Sequence, residues 1–435
     1  MINLGSNSSL TLRVTNEHVG EVGLFGIGFN AETVTAKSGV IFSEINAAGR
    51  GIKSVRKGNL DPSGEITREI GFLSQVELLL FTSLFQAAGY EDIFDSSDPL
   101  PEEIERLTPN DGKIAQAGRL YFSRNVYWFC EQGGSTSQDA FPNASVPNVG
   151  DVDYIGEVKL VCVAVPDSQL PMMPMTPEVR KYRLTAGRRF PIKAGKQTEP
   201  IFDLFKNTSL SKVFAYRGGR VDSLEISVAS SGIAQAKWAL VFLDDSLEEV
   251  TNNSVSEDGV FGSLSHEFFV SIGGGKEISA SDATISITNN IAKDVYRLGK
   301  RYRHDNPLLR RECSGSMSLY FESKKLYEDF RAEKKLKLEF CWKAQDKLGA
   351  TQVNRIIIEE ALFFGDLTPV ISGGGLILHQ AEFRALEGKQ RIQLEHITIG
   401  MDQHTIFEQD PTGLWLLFSG YYNDSGLWDD IAVFN

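Results

Sequence analysis

Gly64-Glu-Ile-Thr-Arg-Glu-Ile-Gly-Phe-Leu-Ser-Gln-Val-Glu-Leu-Leu79 returns in outline later in the chain as Gly315-Ser-Met-Ser-Leu-Tyr-Phe-Glu-Ser-Lys-Lys-Leu-Tyr-Glu-Asp-Phe330. In each copy a basic stretch (50–57 or 300–311) leads through a Ser-Gly pair into a strand with apolar residues on alternate positions. Those residues are Ile66 and Ile70 in the first copy, and Met317, Leu319 and Phe321 in the second. A helical pattern follows. Phe72, Leu73, Val76, Leu79, Leu80 and Leu84 recur at spacings of three and four, as do Leu326 and Phe330, with Glu322-Ser323 placed to cap the second helix. Both helices read as amphipathic covers for a sheet, because a hairpin alone cannot bury its apolar face.

Further strands extend each copy. Val221-Asp-Ser-Leu-Glu-Ile-Ser-Val turns at Ser230-Ser231-Gly232 into Ile233-Ala-Gln-Ala-Lys-Trp-Ala-Leu-Val-Phe. Its counterpart is 355–364, a turn at Gly365-Asp366, a Gly-rich junction at 372–375, and a strand over 376–386. The chain therefore reads as two related halves, better matched in the order of their elements than in residues. The expected organisation is 1–89 and 201–250 for the two parts of the first half and 90–200 for an inserted subdomain. A spacer at 251–278, a second half at 279–390 and a C-terminal extension at 391–435 complete it. The insertion holds strand candidates at Arg119-Leu-Tyr-Phe, Val126-Tyr-Trp-Phe and Val158-Lys-Leu-Val-Cys-Val-Ala-Val, then breaks at Pro166, Pro171, Pro174 and Pro177.

With 435 residues, 42% hydrophobic and 23% charged, the chain can bury a sizeable core, and 40 glycines suit many short strands and tight turns. No apolar run approaches a membrane span, and the polar opening Met1-Ile-Asn-Leu-Gly-Ser-Asn lacks a signal-peptide pattern, so folding in the cytoplasm without a membrane partner is expected. The net charge of −13 disfavours a protein whose task is to hold nucleic acid, yet suits a surface along which a polyanion passes without sticking.

Chemistry-bearing groupings are not visible. Cys130, Cys162, Cys313 and Cys341 lie too far apart in sequence for a Cys-x-x-Cys pair and read as buried thiols. His379, His396 and His404 are scattered, with no metal-ligand spacing. No nucleophile elbow, Walker loop or His-Glu-x-x-His occurs; Gly273-Gly-Gly-Lys276 lacks the phosphate-loop spacing and reads as a linker. Asp244-Asp245, Glu248-Glu249 and Glu359-Glu360 read as turns or solvated edges. Neither enzymatic activity nor a cofactor is expected.

These residues carry a resemblance. The opening Ser6-Asn-Ser-Ser-Leu-Thr-Leu, the segment 47–84, and above all Arg310-Arg-Glu-Cys-Ser-Gly-Ser-Met-Ser-Leu-Tyr-Phe-Glu-Ser-Lys-Lys-Leu-Tyr-Glu-Asp-Phe resemble tail tube proteins of long-tailed bacteriophages. The segments 219–242 and 362–386 resemble that family's paired long strands. The insertion and the final residues fall outside the resemblance; Trp415, Tyr421, Tyr422 and Trp428 read as docking onto the protein itself rather than as a glycan-binding surface.

The resemblance implies a mainly β, sandwich- or barrel-like tube fold with short packing helices, in two tandem tube-like halves. Sheets from neighbouring subunits would join edge to edge as a β-barrel ring. Two halves per chain favour a homotrimeric ring over a hexamer. Rings would stack through Lys53, Arg56, Lys57, Lys300, Arg301, Arg303, Arg310 and Arg311. The implied protein is a structural virion component, the major tail tube subunit, assembled in the host cytoplasm. Its partners would be itself, tape-measure, tail-terminator and baseplate-type proteins, and double-stranded DNA in transit. Asp222 and Glu225 differ in strand parity, so in a regular strand they cannot both face a lumen. The rival reading is a β-sandwich module binding carbohydrate or a receptor; a hydrolase on a β-scaffold is the weakest, for want of a catalytic grouping.

Overall fold

The computed structural model describes residues 9–16, 20–42, 55–86, 91–95, 105–106, 114–117, 119–123, 126–135, 151–155, 158–164, 179–186, 201–207, 212–249, 262–273, 277–278, 280–320, 324–345, 351–364, 378–386, 392–399, 407–409 and 415–417. Strands dominate them, with two α-helices: α1, Gln75–Phe85, and α2, Lys324–Arg331.

One long strand organises each half by serving two layers. In Lys212–Ala229, residues 212–217 pair with Asp244–Glu249 and residues 213–219 with Ile201–Asn207. Further along, residues 220–227 pair with Gln235–Val241 and 223–229 with Ala280–Thr288. The changeover sits at Gly218, whose φ of 64° favours glycine, and at Gly219, where a Cβ would lie 2.6 Å from the Phe242 ring. In Thr351–Phe364, residues 351–358 lie between Leu336–Gln345 and Ile392–Ile399, while 361–364 pair with Leu378–Ala385.

The two arrangements share an irregularity, although the bulge at Asp222 in the first half has no counterpart between 361–364 and 382–385 in the second. Register slips between Phe202↔Gly219 and Leu204↔Tyr216, and in the same way between Leu336↔Ala361 and Leu338↔Ile358. Gly64 lies opposite Leu240 as Gly315 lies opposite Phe383. Each half thus has an outer layer and an inner layer. Strands Phe268–Ile272, within the expected spacer, and Ile392–Ile399, within the expected C-terminal extension, belong to the outer layer around Leu336–Gln345 and Thr351–Phe364. Phe268–Ile272 is only five residues long, and a sequence reading leaves both strands outside the halves because their partners lie far away in sequence.

The inner layers of both halves join. In spatial order the inner sheet runs Thr35–Phe42, Val55–Glu69, Gln235–Val241, residues 220–229, Ala280–Thr288, Glu312–Tyr320, Leu378–Ala385 and residues 361–364. Within one chain this sheet is open, so the closed barrel is not a property of the single subunit. One apolar core containing Leu12, Phe81, Trp238, Ile285, Trp342 and Phe383 draws on both halves.

Helix α1 corrects the amphipathic expectation. The side chains of residues 76–85 are all buried, including Glu77, Thr82 and Ser83. It packs on Lys212–Ala229, Gly20–Ile27 and Val179–Thr185, so it is apolar nearly all round, as an interior helix must be. Helix α2 behaves as a cover: Phe330 stacks on Phe363 with ring centroids 4.3 Å apart, and Glu328 is exposed.

The second half holds the segment that enters α1 and the carbonyls at its C-terminal end. Gln352 accepts from the Leu73 N–H at 2.7 Å and returns a bond to the Leu73 carbonyl at 3.3 Å, and the Trp342 indole donates to the Gly71 carbonyl at 2.9 Å. At the other end Asn289 donates to the Leu84 carbonyl at 2.9 Å and Arg311 to the Phe85 carbonyl at 3.0 Å. Arg68 and Glu77 form a buried ion pair of 2.8 Å beside the first turn, where Glu77 also accepts from the Ser74 N–H.

The segment 90–200 leaves the first half and settles on the second. Its five-stranded sheet buries Tyr121, Trp128, Cys130, Leu160 and Cys162 on one face. Phe129 and Val161 on the other face meet Val353, Ile397 and Ile399. Val179–Thr185 and then Glu91–Asp95 extend the outer layer beyond Ile392–Ile399. Between the layers lies a charge network. Glu131 binds Arg355 at 2.5 Å and Lys181 at 3.1 Å; Lys181 reaches Glu395 at 3.1 Å, and Lys159 reaches Glu339 at 3.2 Å. The hairpin Phe407–Gln409 with Trp415–Leu417 is described at the C-terminus, whereas His404, Tyr421, Tyr422, Trp428 and the junction 365–377 lie outside the described residues.

Burial alone would raise the Glu131 carboxyl, but Arg355, Lys181 and Lys159 outweigh it and hold it well below the usual range. For Glu339 the same opposition, with Lys159 the leading cation, gives a value of about 2. A carboxylate depressed in the folded state contributes stability that is complete above its unfolded value, about 4.3, and is lost as pH falls toward the folded value. The unfolding midpoint should therefore hold from neutral pH to about 5 and fall between about 4.5 and 2. Glu131→Gln, which leaves buried cations short of an anion, should cost about 3–5 kcal/mol in urea unfolding at pH 7.

Candidate functional site

The inner sheet has one apolar face and one polar face. Ile66 and Ile70, Trp238 and Leu240, Leu224 and Ile226, Ile285 and Ile287, and Met317 and Leu319 point into the core. The alternate residues point away and are small, hydroxylated or charged: Thr67, Ser227, Thr284, Ser286, Ser316 and Ser318 among them. On this face the acids Glu65, Glu69, Glu225, Asp282, Glu312 and Glu382 outnumber the bases Lys37, Lys237 and Arg384. Lys237 pairs with Glu65 at 2.9 Å and Arg384 with Glu312 at 2.9 Å, so part of the positive charge is neutralised locally. Asp222 and Glu225 do not share a face, although a bulge interrupts regular alternation at Asp222. Asp222 is buried at a bulge, accepting from the Ile291 N–H at 2.8 Å, and Glu225 is exposed.

The sheet ends in two edges. Among the described residues Thr35–Phe42 pairs with Val55–Glu69 alone, and the same hairpin exposes Val40, Ile41 and Val55. At the far end Phe364 is 45% exposed. Edges of this kind are templates for pairing with another chain.

Of the basic residues singled out for ring stacking, Lys53 lies outside the described residues. Arg56, Lys57, Lys300 and Arg310 are exposed. Arg301 is exposed too, though its guanidinium donates to the Gly58 carbonyl at 3.0 and 3.2 Å and its own carbonyl accepts from the Leu60 N–H at 2.9 Å. Arg303 is buried, ion-paired with Asp61 and donating to the carbonyls of Lys293 at 2.9 Å and Phe242 at 3.2 Å. Arg311 is buried at the end of α1. The loop 289–311 thus straps the second half across the first, with Tyr296 donating to the Leu60 carbonyl at 3.0 Å.

Sequence reading missed the internal charges. Arg68 stands at an inward position between Ile66 and Ile70, and Ser74-Gln-Val-Glu77 is a capping-box pattern; both were signals of a buried pair. Nothing local marked Glu131, Arg355 or Glu395, which meet only through the fold.

All four cysteines are free and buried, and burial pushes Cys130, Cys162 and Cys341 up to about 12. His396 is buried against Tyr182, with ring centroids 5.1 Å apart. Among the described residues no cluster of His, Cys, Asp and Glu is arranged to hold a metal, and no helix is long and apolar enough to cross a membrane.

A family model described as phage tail tube protein matches residues 11–385, and the chain belongs to that family. A comparison with curated proteins finds no match. The family is structural, so the features to be explained are surfaces and edges.

The basic residues divide by measurement. Arg303→Ala, which strips partners from buried carbonyls, should lower stability by about 2–3 kcal/mol, whereas Arg310→Ala should stay within about 0.5 kcal/mol. Thermal unfolding of the two variants checks the division.

Proposed function

We propose that this tail tube protein is the major subunit of the tube, closing rings whose inner wall is the polar face of the eight-stranded sheet. The observation that carries the reading is the duplicated half: one chain presents two copies of the same four-strand inner unit in one continuous sheet with two open edges. Three such chains supply about two dozen strands; at roughly 4.8 Å per strand the backbone ring is on the order of 37 Å across before tilt widens it. That bore admits a DNA duplex. The acid-rich, hydroxyl-rich wall repels phosphate and offers no cationic track on which it would stall.

On this reading the expected boundaries describe tube modules with additions: 1–89 with 201–250, and 279–390, form the two modules. Phe268–Ile272 from the spacer and Ile392–Ile399 from the extension complete the second module, and the insertion 90–200 adds outside both. Rings stack head to tail, a heterologous contact that propagates as a filament. Arg56, Lys57, Lys300 and Arg310 are available to it, with Lys53 and Arg301 beside them. Arg303 and Arg311 contribute by holding the loop in place. The tube would be built in the host cytoplasm, bounded by tape-measure, terminator and baseplate-type proteins. In the virion it would conduct DNA into the host, without enzymatic activity or a cofactor.

Negative-stain electron microscopy of the purified chain should show rings or hollow tubes; a persistent monomer at high concentration would overturn the proposal. The combined change Arg56→Glu, Lys57→Glu, Lys300→Glu and Arg310→Glu should leave rings intact and shorten the tubes. Unchanged tube length would remove these residues from the stacking contact.

A further inference from the structure

The inner sheet contains, within one chain, a finished junction between two copies of the same unit. Residues 223–229 pair with 282–288, Ser223 opposite Thr288 and Ala229 opposite Asp282. The matched registers carry this junction onto the sheet's two open edges. Ser63 lies opposite Thr35 and Ser314 opposite Ser286, so Thr35 is the counterpart of Ser286 and Lys37 that of Thr288. Leu240 and Phe383 are counterparts through Gly64 and Gly315. Ser223 pairs with Ala239 and Phe364 with Glu382, one residue before Leu240 and Phe383 respectively, which makes Phe364 the counterpart of Ser223.

The image of Ser223↔Thr288 is therefore Phe364↔Lys37. These two residues stand at opposite ends of the sheet, seven strand spacings apart, on the order of 30 Å along it, and one chain cannot bring them together. We propose that the edge of Thr35–Phe42 in one copy pairs antiparallel with the end of Thr351–Phe364 in the next, with Lys37 opposite Phe364. The proposal rests on the ring reading above and specifies its lateral contact.

Side-chain parity supports the register. Directly opposite residues in an antiparallel pair share a face. Phe363 is buried and Phe364 exposed; Val34 is buried and Lys37, three positions on, is exposed on the polar face. Ser223 and Thr288 likewise flank the buried Leu224 and Ile287. A slip of one residue would set a core-facing side chain against a solvent-facing one.

The test is a double-cysteine variant, Lys37→Cys with Phe364→Cys, in the full chain. Both positions are exposed and the native thiols are buried. Oxidised assemblies should yield covalent dimers and a closed trimer on non-reducing gels, lost on reduction and absent from either single variant. Mass measurement of the unoxidised double variant shows whether it folds and assembles. Rings or tubes that form without intermolecular disulfides would overturn this register while leaving the tube reading intact. A folded monomer with no assemblies and no cross-link would overturn both.

Discussion

The structure depends on how helix α1 is satisfied. An interior helix cannot leave its terminal N–H and carbonyl groups to water, and each buried group without a partner costs about 1–3 kcal/mol. The first half makes this helix and caps its N-terminus with Ser74 and Glu77, yet Asn289 and Arg311 at its C-terminal carbonyls, and Gln352 and Trp342 on the segment leading into it, come from the second. The helix is also apolar nearly all round, so it needs a core on every side, which neither four-strand inner unit provides alone. The two halves are thereby joined, and the Glu131–Arg355–Glu395 charges tie the segment 90–200 to the second. Such buried charges fix geometry more than they add stability.

A rigid pair of units with an open sheet has two consequences. The internal junction at 223–229 and 282–288 sets the step from one unit to the next. Among the described residues the open edges are not capped by a helix, and in the proposed ring closure by further copies would remove that liability. On the proposed ring the polar face would line the lumen, where its surplus of carboxylates would suit a passing polyanion. In this account the loop 289–311 is a strap within the subunit, anchored by Arg303 and Arg311, with its exposed cations turned outward.

Much of this was legible in residues. The strand-to-helix unit at 64–79 and 315–330, the β-hairpin of 219–242 and the three strand candidates of the insertion all occur as strands and helices near their expected places. Period-two alternation is a local signal and survives into the fold. What stayed hidden was non-local. The apolar positions of α1 looked like one stripe because Glu77, Thr82 and Ser83 read as polar, and only the structure shows each of them buried with a partner. Arg303 and Arg311 group with the ring-stacking cations in sequence because their buried partners lie far away along the chain. The ion pairs around Glu131 join residues from three distant segments, which no window of sequence contains.

The central claim is that one chain carries two of the ring's repeating units, and the mass of a single ring tests it most directly. Native mass spectrometry of isolated rings should give three copies of the 48.1 kDa chain. A ring of six would mean that the internal junction does not set the step between units, and would contradict the account.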